Sequence, residues 1–238
     1  MSVISNLDHE LQSSKLEPRN DGRQIMDSDK LTDVERTTLE SYRRIASARS
    51  QERDRPDFWR PEFERFIRLL PDGQVLDIGC GSGRDAAMFL EHGYGYVGID
   101  LCETMLSLAR RRNPSANFCR QNIYDLAFQS HSFAGFWAVT SLLHLPKARI
   151  AAALREIRRV TAVGGVGFVV MKGGNGERLV SGKFLGDERF YAYYSLVEFG
   201  AVLADSDFEV LEQERKIYHT SSSGDSAVWL KYFVRVSN

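Results

Sequence analysis

The stretch VLDIGCGSGRDA, residues 75–86, holds the residue types best suited to chemistry in this chain. An apolar run ends on an acid, Asp77, and three glycines follow at alternate positions, Gly79, Gly81 and Gly83. Glycine is used where a backbone must turn tightly or let a ligand approach closely. A second acid, Asp100, ends the next apolar run 21 residues after Gly79, where a carboxylate can accept both hydroxyls of a ribose. A dinucleotide site calls for GxGxxG and a helix N-terminus clear of anions. Here the spacing is GxGxG, and Asp77 just ahead of it repels phosphate and suits positive charge. These residues fit a nucleoside with a cationic tail better than a nucleotide.

Other chemistry-bearing residues lie further along. His144 is the candidate general base, since imidazole titrates near neutrality; its alternative is a histidine that bonds backbone. Tyr191, Tyr193 and Tyr194 in RFYAYYS form either an aromatic wall with a hydroxyl toward substrate or ordinary strand or lid packing. The segment KGGNGER (172–178) is a Gly-rich loop, either a lid or simply exposed. Arg84, beside the glycines, is placed for a ligand carboxylate or for the surface. The histidines His9, His92, His131 and His219 form no cluster with Cys or Asp at ligand spacing, so no metal is expected.

The elements that must position these residues follow from periodicity. Residues 1–30 are polar without a sustained period and are expected to form a mobile tail. Residues 31–238 are expected to form one domain with an N-terminal helical cap over 31–70. Within the cap, Val34, Leu39, Tyr42 and Ile45 recur at helical spacing, then Trp59, Phe63, Phe66 and Leu70. Strands are predicted at 74–77, 94–100, 117–120, 132–140 and 165–171, with helices between, which is the pattern of a parallel sheet covered on both faces. The runs 208–219 and 227–236, joined by TSSSGDS, predict a closing antiparallel hairpin. The expected fold is α/β, a Rossmann-like seven-stranded, mostly parallel sheet with helices on both faces.

The 238 residues are 43% hydrophobic and 26% charged with a formal net charge of −1, which gives no global drive toward nucleic acid or an anionic membrane. Local clusters such as ARRRN (109–113) read as solvated helix faces. No run reaches the ~18–20 apolar residues of a membrane span, and no signal-peptide core is visible. Cys80, Cys102 and Cys119 are odd in number and lack a CxxC, so they read as reduced thiols in a cytoplasmic protein.

The segment VLDIGCGSGRD followed by GIDLCETML resembles the first two motifs of class I S-adenosylmethionine-dependent methyltransferases. The resemblance continues through NIYDL, FAGFWAVTSLLHLP and EIRRVTAVGGVGFVV, and is nearest to the small-molecule, methyltransferase-11-like branch. It implies that Gly79, Cys80 and Gly81 pass close to the methionine part of S-adenosylmethionine, with Asp77 beneath. By the same resemblance Asp100 holds the ribose, Leu101 and Met105 pack on adenine, and Ile123 offers its amide to the ring. Asn122 replaces the family's usual Asp and can still accept from the adenine amino group. Ala138 and the stretch after it line the methionine arm, and Tyr42 closes over the cofactor. The implied activity is methyl transfer to an O or N atom of a small molecule, with His144, Tyr191 and Tyr194 as catalytic candidates. Protein or tRNA acceptors, an NAD(P)- or FAD-binding oxidoreductase, and a non-catalytic S-adenosylmethionine-binding module are the alternatives. The expected partner is the small-molecule substrate, with the chain a monomer or a homodimer; no nucleic acid or membrane is expected.

Overall fold

Residue by residue, burial along the central strands shows how the sheet is covered. All seven residues of β4 (Phe133–Val139) are buried, as a strand flanked by neighbours and covered on both faces requires. Side chains alternate across a strand, so Phe136 and Ala138 join one core with Leu76, Ile78 and Leu154. Trp137 and Val139 join the other, with Val75, Phe63, Phe66, Phe89 and Phe168. The computed structural model describes residues 31–52, 58–182, 184, 186–219 and 226–238. The expected tail over 1–30 and the loop joining the last two strands lie outside the described residues.

Helices α1 (Asp33–Glu52) and α2 (Arg60–Leu69) precede β1 (Gln74–Ile78). Then come α3 (Ala86–Glu91), β2 (Gly95–Asp100), α4 (Glu103–Arg112), β3 (Asn117–Arg120) and β4, with a short 3-10 turn at Leu142–His144. Helix α5 (Lys147–Val160) leads into β5 (Thr161–Gly173), β6 (Glu177–Ser181) and β7 (Glu188–Tyr194); α6 (Leu196–Ala204), β8 (Phe208–His219) and β9 (Ser226–Val236) close the chain. The order β3-β2-β1-β4-β5 is parallel throughout, with β9 antiparallel to β5 and β8 antiparallel to β9. This is the expected Rossmann-like arrangement with its C-terminal hairpin.

Among the described residues nine strands form where seven were expected. The two additional ones come from the Gly-rich segment and the tyrosine run. Gly174 and Gly176 have positive φ and turn the chain so that β6 pairs antiparallel with β7, while β7 runs parallel to the end of β5 through Lys172 and Gly173. Gly174 N donates to Tyr194 O and Tyr193 N to Gly176 O, which pins the supposed loop into the sheet.

Helix α1 starts where Thr32 N donates to the Glu35 carboxylate at 2.8 Å, half of a capping box. It lies against β7 through Thr38, whose hydroxyl donates to Val34 O at 2.8 Å and accepts from the buried Phe190 N at 2.9 Å. Thr38→Val keeps the shape and orphans that N–H, so urea denaturation should show a loss of about 1–3 kcal/mol. An unchanged midpoint would mean that the bond contributes nothing to holding the cap.

Candidate active site

The turn after β1 is built by hydrogen bonds to the end of β2. Gly79 N and Cys80 N both donate to Ile99 O, at 2.8 and 3.0 Å. Gly81 N then donates to Asp100 Oδ2 at 3.0 Å, and Cys102 N to Oδ1 at 2.8 Å. This path forces φ to +69° at Gly79 and +55° at Gly81, the left-handed region that glycine adopts without strain. A Cβ on Gly79 would stand 2.4 Å from Ser141 Cβ, so the turn also passes too close to the end of β4 for any side chain.

Above this turn lies a cavity of about 250 Å³, over the carboxyl ends of β1, β2 and β4 and the segment after β3. In an open parallel sheet this is the ligand-binding edge. Asp77, Gly79, Cys80, Gly81, Asp100, Leu101, Met105, Asn122, Ile123, Tyr42 and His144 all line it, so the structure brings together sequence-predicted residues from five separate segments. Arg84 lines it too but is bonded to Asp85, at 2.6 and 2.8 Å, and Asp85 also accepts from Trp137 Nε1 at 3.0 Å.

Three expectations change. Ala138 is fully buried within β4, and the lining passes to Val139, Thr140 and Ser141, because side chains open to the ligand edge only where the strand ends. Tyr194 is 1% exposed, packs on Phe199 with ring centroids 5.0 Å apart, and carries Lys147 Nζ 4.3 Å above its ring. Its hydroxyl is outside the cavity lining. Tyr191 is also outside it and stacks on His144 at 4.8 Å; β7 sits beside the turn after β4, not over the cavity. Asn122 lines the cavity, but its Oδ1 already accepts from Tyr124 N at 3.1 Å, as in an Asx turn.

The electrostatics of the floor are dominated by acids. Asp77 is buried and accepts from Tyr96 Oη at 2.6 Å. Burial and the nearby Asp85 carboxylate push its pKa up to about 8, against the opposing effect of the Tyr96 bond and Arg84. Burial raises Asp100 as well, offset by its backbone donors. Ser141 Oγ, a further cavity residue, is a buried hydroxyl without a hydrogen-bond partner. Two carboxylates, an unmet hydroxyl and a glycine floor bounded by Leu101 and Met105 fit a ligand with a ribose, a cationic arm and an apolar ring. Among the described residues no group of three or more His, Cys, Asp and Glu side chains could hold a metal.

Sequence patterns did not disclose Tyr96, Glu35, Thr38 or Arg189. Tyr96 meets Asp77 because β1 and β2 pair in parallel with Val75 opposite Tyr96, a register legible only once the sheet exists. Glu35 caps α1 and is also the acceptor of Tyr124 Oη at 2.6 Å and the partner of Arg149, contacts between segments far apart in the chain.

A methyltransferase-domain family model matches residues 75–165. The O-methyltransferase rstn1 of Aspergillus nomiae is 34% identical over 98 residues, covering 38% of this chain and 43% of that protein. The 18S rRNA (guanine-N(7))-methyltransferase of Mus musculus is 34% identical over 91 residues, 36% of this chain and 32% of that one. The chain thus spans less than half the length of these curated relatives. The Burkholderia thailandensis 1,6-didemethyltoxoflavin-N1-methyltransferase, solved with S-adenosylhomocysteine, shares the fold at a TM-score of 0.66 and 20% identity, covering 93% of this chain and all of that one. Over residues 75–165 the chain thus matches the methyltransferase-domain family, and it shares the fold of a solved S-adenosylmethionine-dependent methyltransferase.

Proposed function

We propose that this protein transfers a methyl group from S-adenosylmethionine to an oxygen or nitrogen of a small molecule held in the cavity. The observation that carries this is the convergence of the glycine turn, Asp77 and Asp100 on one cavity. Asp100 retains lone pairs beyond its two backbone bonds for a ribose diol. Asp77 faces the cationic arm, and Leu101 and Met105 flank the base. When bound, S-adenosylmethionine supplies an activated methyl group and a neutral thioether leaving group. The chain's own task is then largely to orient the acceptor in line, an effect worth up to ~7–11 kcal/mol in favourable systems.

A small acceptor is favoured over RNA by the net charge of −1, since phosphate backbones are bound through an excess of Lys and Arg. An oxidoreductase is disfavoured because Asp77 stands where a pyrophosphate would need to approach. A non-catalytic module would bind the donor and methylate nothing in a broad acceptor screen.

Two measurements test the donor site. Calorimetry should detect S-adenosylmethionine and S-adenosylhomocysteine binding, and Asp100→Ala should weaken it by about 1–3 kcal/mol through lost ribose bonds. Preference for NAD, or unchanged affinity in the variant, would overturn the assignment. The second test uses pH. With its pKa near 8, Asp77 is mostly protonated at pH 7 in the free protein, and a cationic ligand favours its charged form. Binding below pH 8 should therefore release a proton, and affinity should tighten from pH 6 to 8 and level off above. Calorimetry in buffers of different ionisation enthalpy, compared with Asp77→Asn, cancels any titration of the ligand itself. Equal proton release in both proteins would remove Asp77 from the ligand's contacts.

A further inference from the structure

One histidine on the cavity wall has both ring nitrogens engaged. His144 Nδ1 lies 2.7 Å from the Phe190 carbonyl oxygen. A carbonyl can only accept, so Nδ1 carries the proton. In the neutral ring Nε2 is then an acceptor, and the group 2.9 Å from it is the Tyr42 hydroxyl. The phenol therefore donates to His144, and its oxygen lone pairs are left to face other donors. One of these is Arg189, whose Nη1 is 3.5 Å from Tyr42 Oη and whose guanidinium sits 5.6 Å from the Tyr42 ring and 5.5 Å from that of Tyr191. Arg189 is 5% exposed and paired at 2.5 Å with Asp187, 3% exposed. Burying an ion pair is costly, and packing alone rarely calls for one. Here it holds a fixed positive charge behind the phenol.

The geometry excludes His144 as the group that meets the acceptor directly, because it would first have to give up Tyr42. Tyr42 is the cavity residue between them, its ring packed beside Cys102 and Met105 and its hydroxyl at His144. We propose that Tyr42 takes the acceptor's proton and relays its own to His144, and that the cavity accordingly takes a protic acceptor, a hydroxyl or ammonium group, and not a carboxylate or thioether. The inference rests on the methyltransferase assignment. The bond formed joins the methyl carbon to the acceptor oxygen or nitrogen; the bond broken is carbon–sulfur, its electron pair remaining on sulfur. The acceptor's proton passes to Tyr42 Oη as the phenol proton passes to Nε2. The resulting imidazolium, still bonded to Phe190 O, releases its proton to solvent afterwards. A carboxylate would present lone pairs to the phenol oxygen and have no proton to give. Tyr42 is the catalytic residue in this scheme, with His144 and Arg189 positioning it and its proton.

The test begins without ligand. In the full chain labelled with 15N-histidine at pH 7.5, the resonances lost in His144→Gln should be those of a neutral ring protonated on Nδ1. In Tyr42→Phe the Nε2 resonance should move toward that of a nitrogen with no donor. A ring protonated on Nε2, or an Nε2 resonance unmoved by Tyr42→Phe, would overturn the relay. With S-adenosylmethionine and pooled acceptors, turnover should appear with phenols, alcohols or amines and not with simple carboxylates or thioethers. Tyr42→Phe and His144→Gln should each lower kcat by about 100-fold or more, a loss far larger than any change in acceptor KM. Wild-type kcat in either variant, or turnover of carboxylates, overturns this inference alone. No S-adenosylhomocysteine binding by the unaltered chain overturns the donor assignment and the relay with it.

Discussion

The site depends on one constraint, the docking of the chain after β1 onto the last residues of β2. Ile99 O accepts two successive backbone N–H groups, and the Asp100 carboxylate takes a third together with that of Cys102. Those donors would otherwise be buried without partners, which is expensive. Satisfying them draws the turn flat against the neighbouring strand and demands left-handed φ at Gly79 and Gly81. The same bonds fix the direction of Asp100, so its carboxylate and the backbone floor of the cavity are set by one set of contacts. A change to either end is therefore felt at the other.

That economy creates an electrostatic problem, which the surroundings handle locally. Asp77, Asp85 and Asp100 are close enough for their charges to oppose one another. Asp85 is held by Arg84 and by the indole of Trp137 in the core. Asp77 has a phenol, Tyr96, in place of a cation, and this leaves it prone to hold a proton until positive charge arrives. A full salt bridge at Asp77 would stabilise the free protein and weaken its attraction for a cationic ligand. The arrangement found keeps that attraction available.

Much of the sheet and the glycine-turn side of the cavity were legible in the sequence, because both depend on residues close together in the chain. The strand at Asn117–Arg120 and the strand at Phe208–His219 match the expected limits, and Asp77, the glycines and Asp100 span only 24 residues. What escaped was set by contacts between distant segments. The Gly-rich run 172–178 has the composition of a loop, yet pairing with β7 makes its latter part a strand. Tyr191 and Tyr194 have the composition of a substrate wall, but β7 directs one onto His144 and the other onto Phe199. Ala138 lost its place to Ser141 because the opening begins where the strand ends, a boundary that periodicity locates only to within a few residues.

The proposed acceptor end is assembled differently from the proposed donor end, and the difference bears on how the two can evolve. Helix α1 reaches the rest of the domain through bonds that span the chain: Glu35 to Tyr124 and Arg149, Thr38 to Phe190, Tyr42 to His144, and Arg44 to Gly186 O. None of these partners belongs to the glycine turn or to β2. Substitutions along α1 or in β7 can therefore reshape the acceptor end while leaving the bonds between the glycine turn and β2 untouched. Tyr42 is the exception, since its ring packs with the donor-side residues Cys102 and Met105 while its hydroxyl belongs to the acceptor side. Under the proposed relay, a side chain with a foot in each half couples the position of the donor to the protonation of the acceptor, and it is at this residue that variation should be least tolerated.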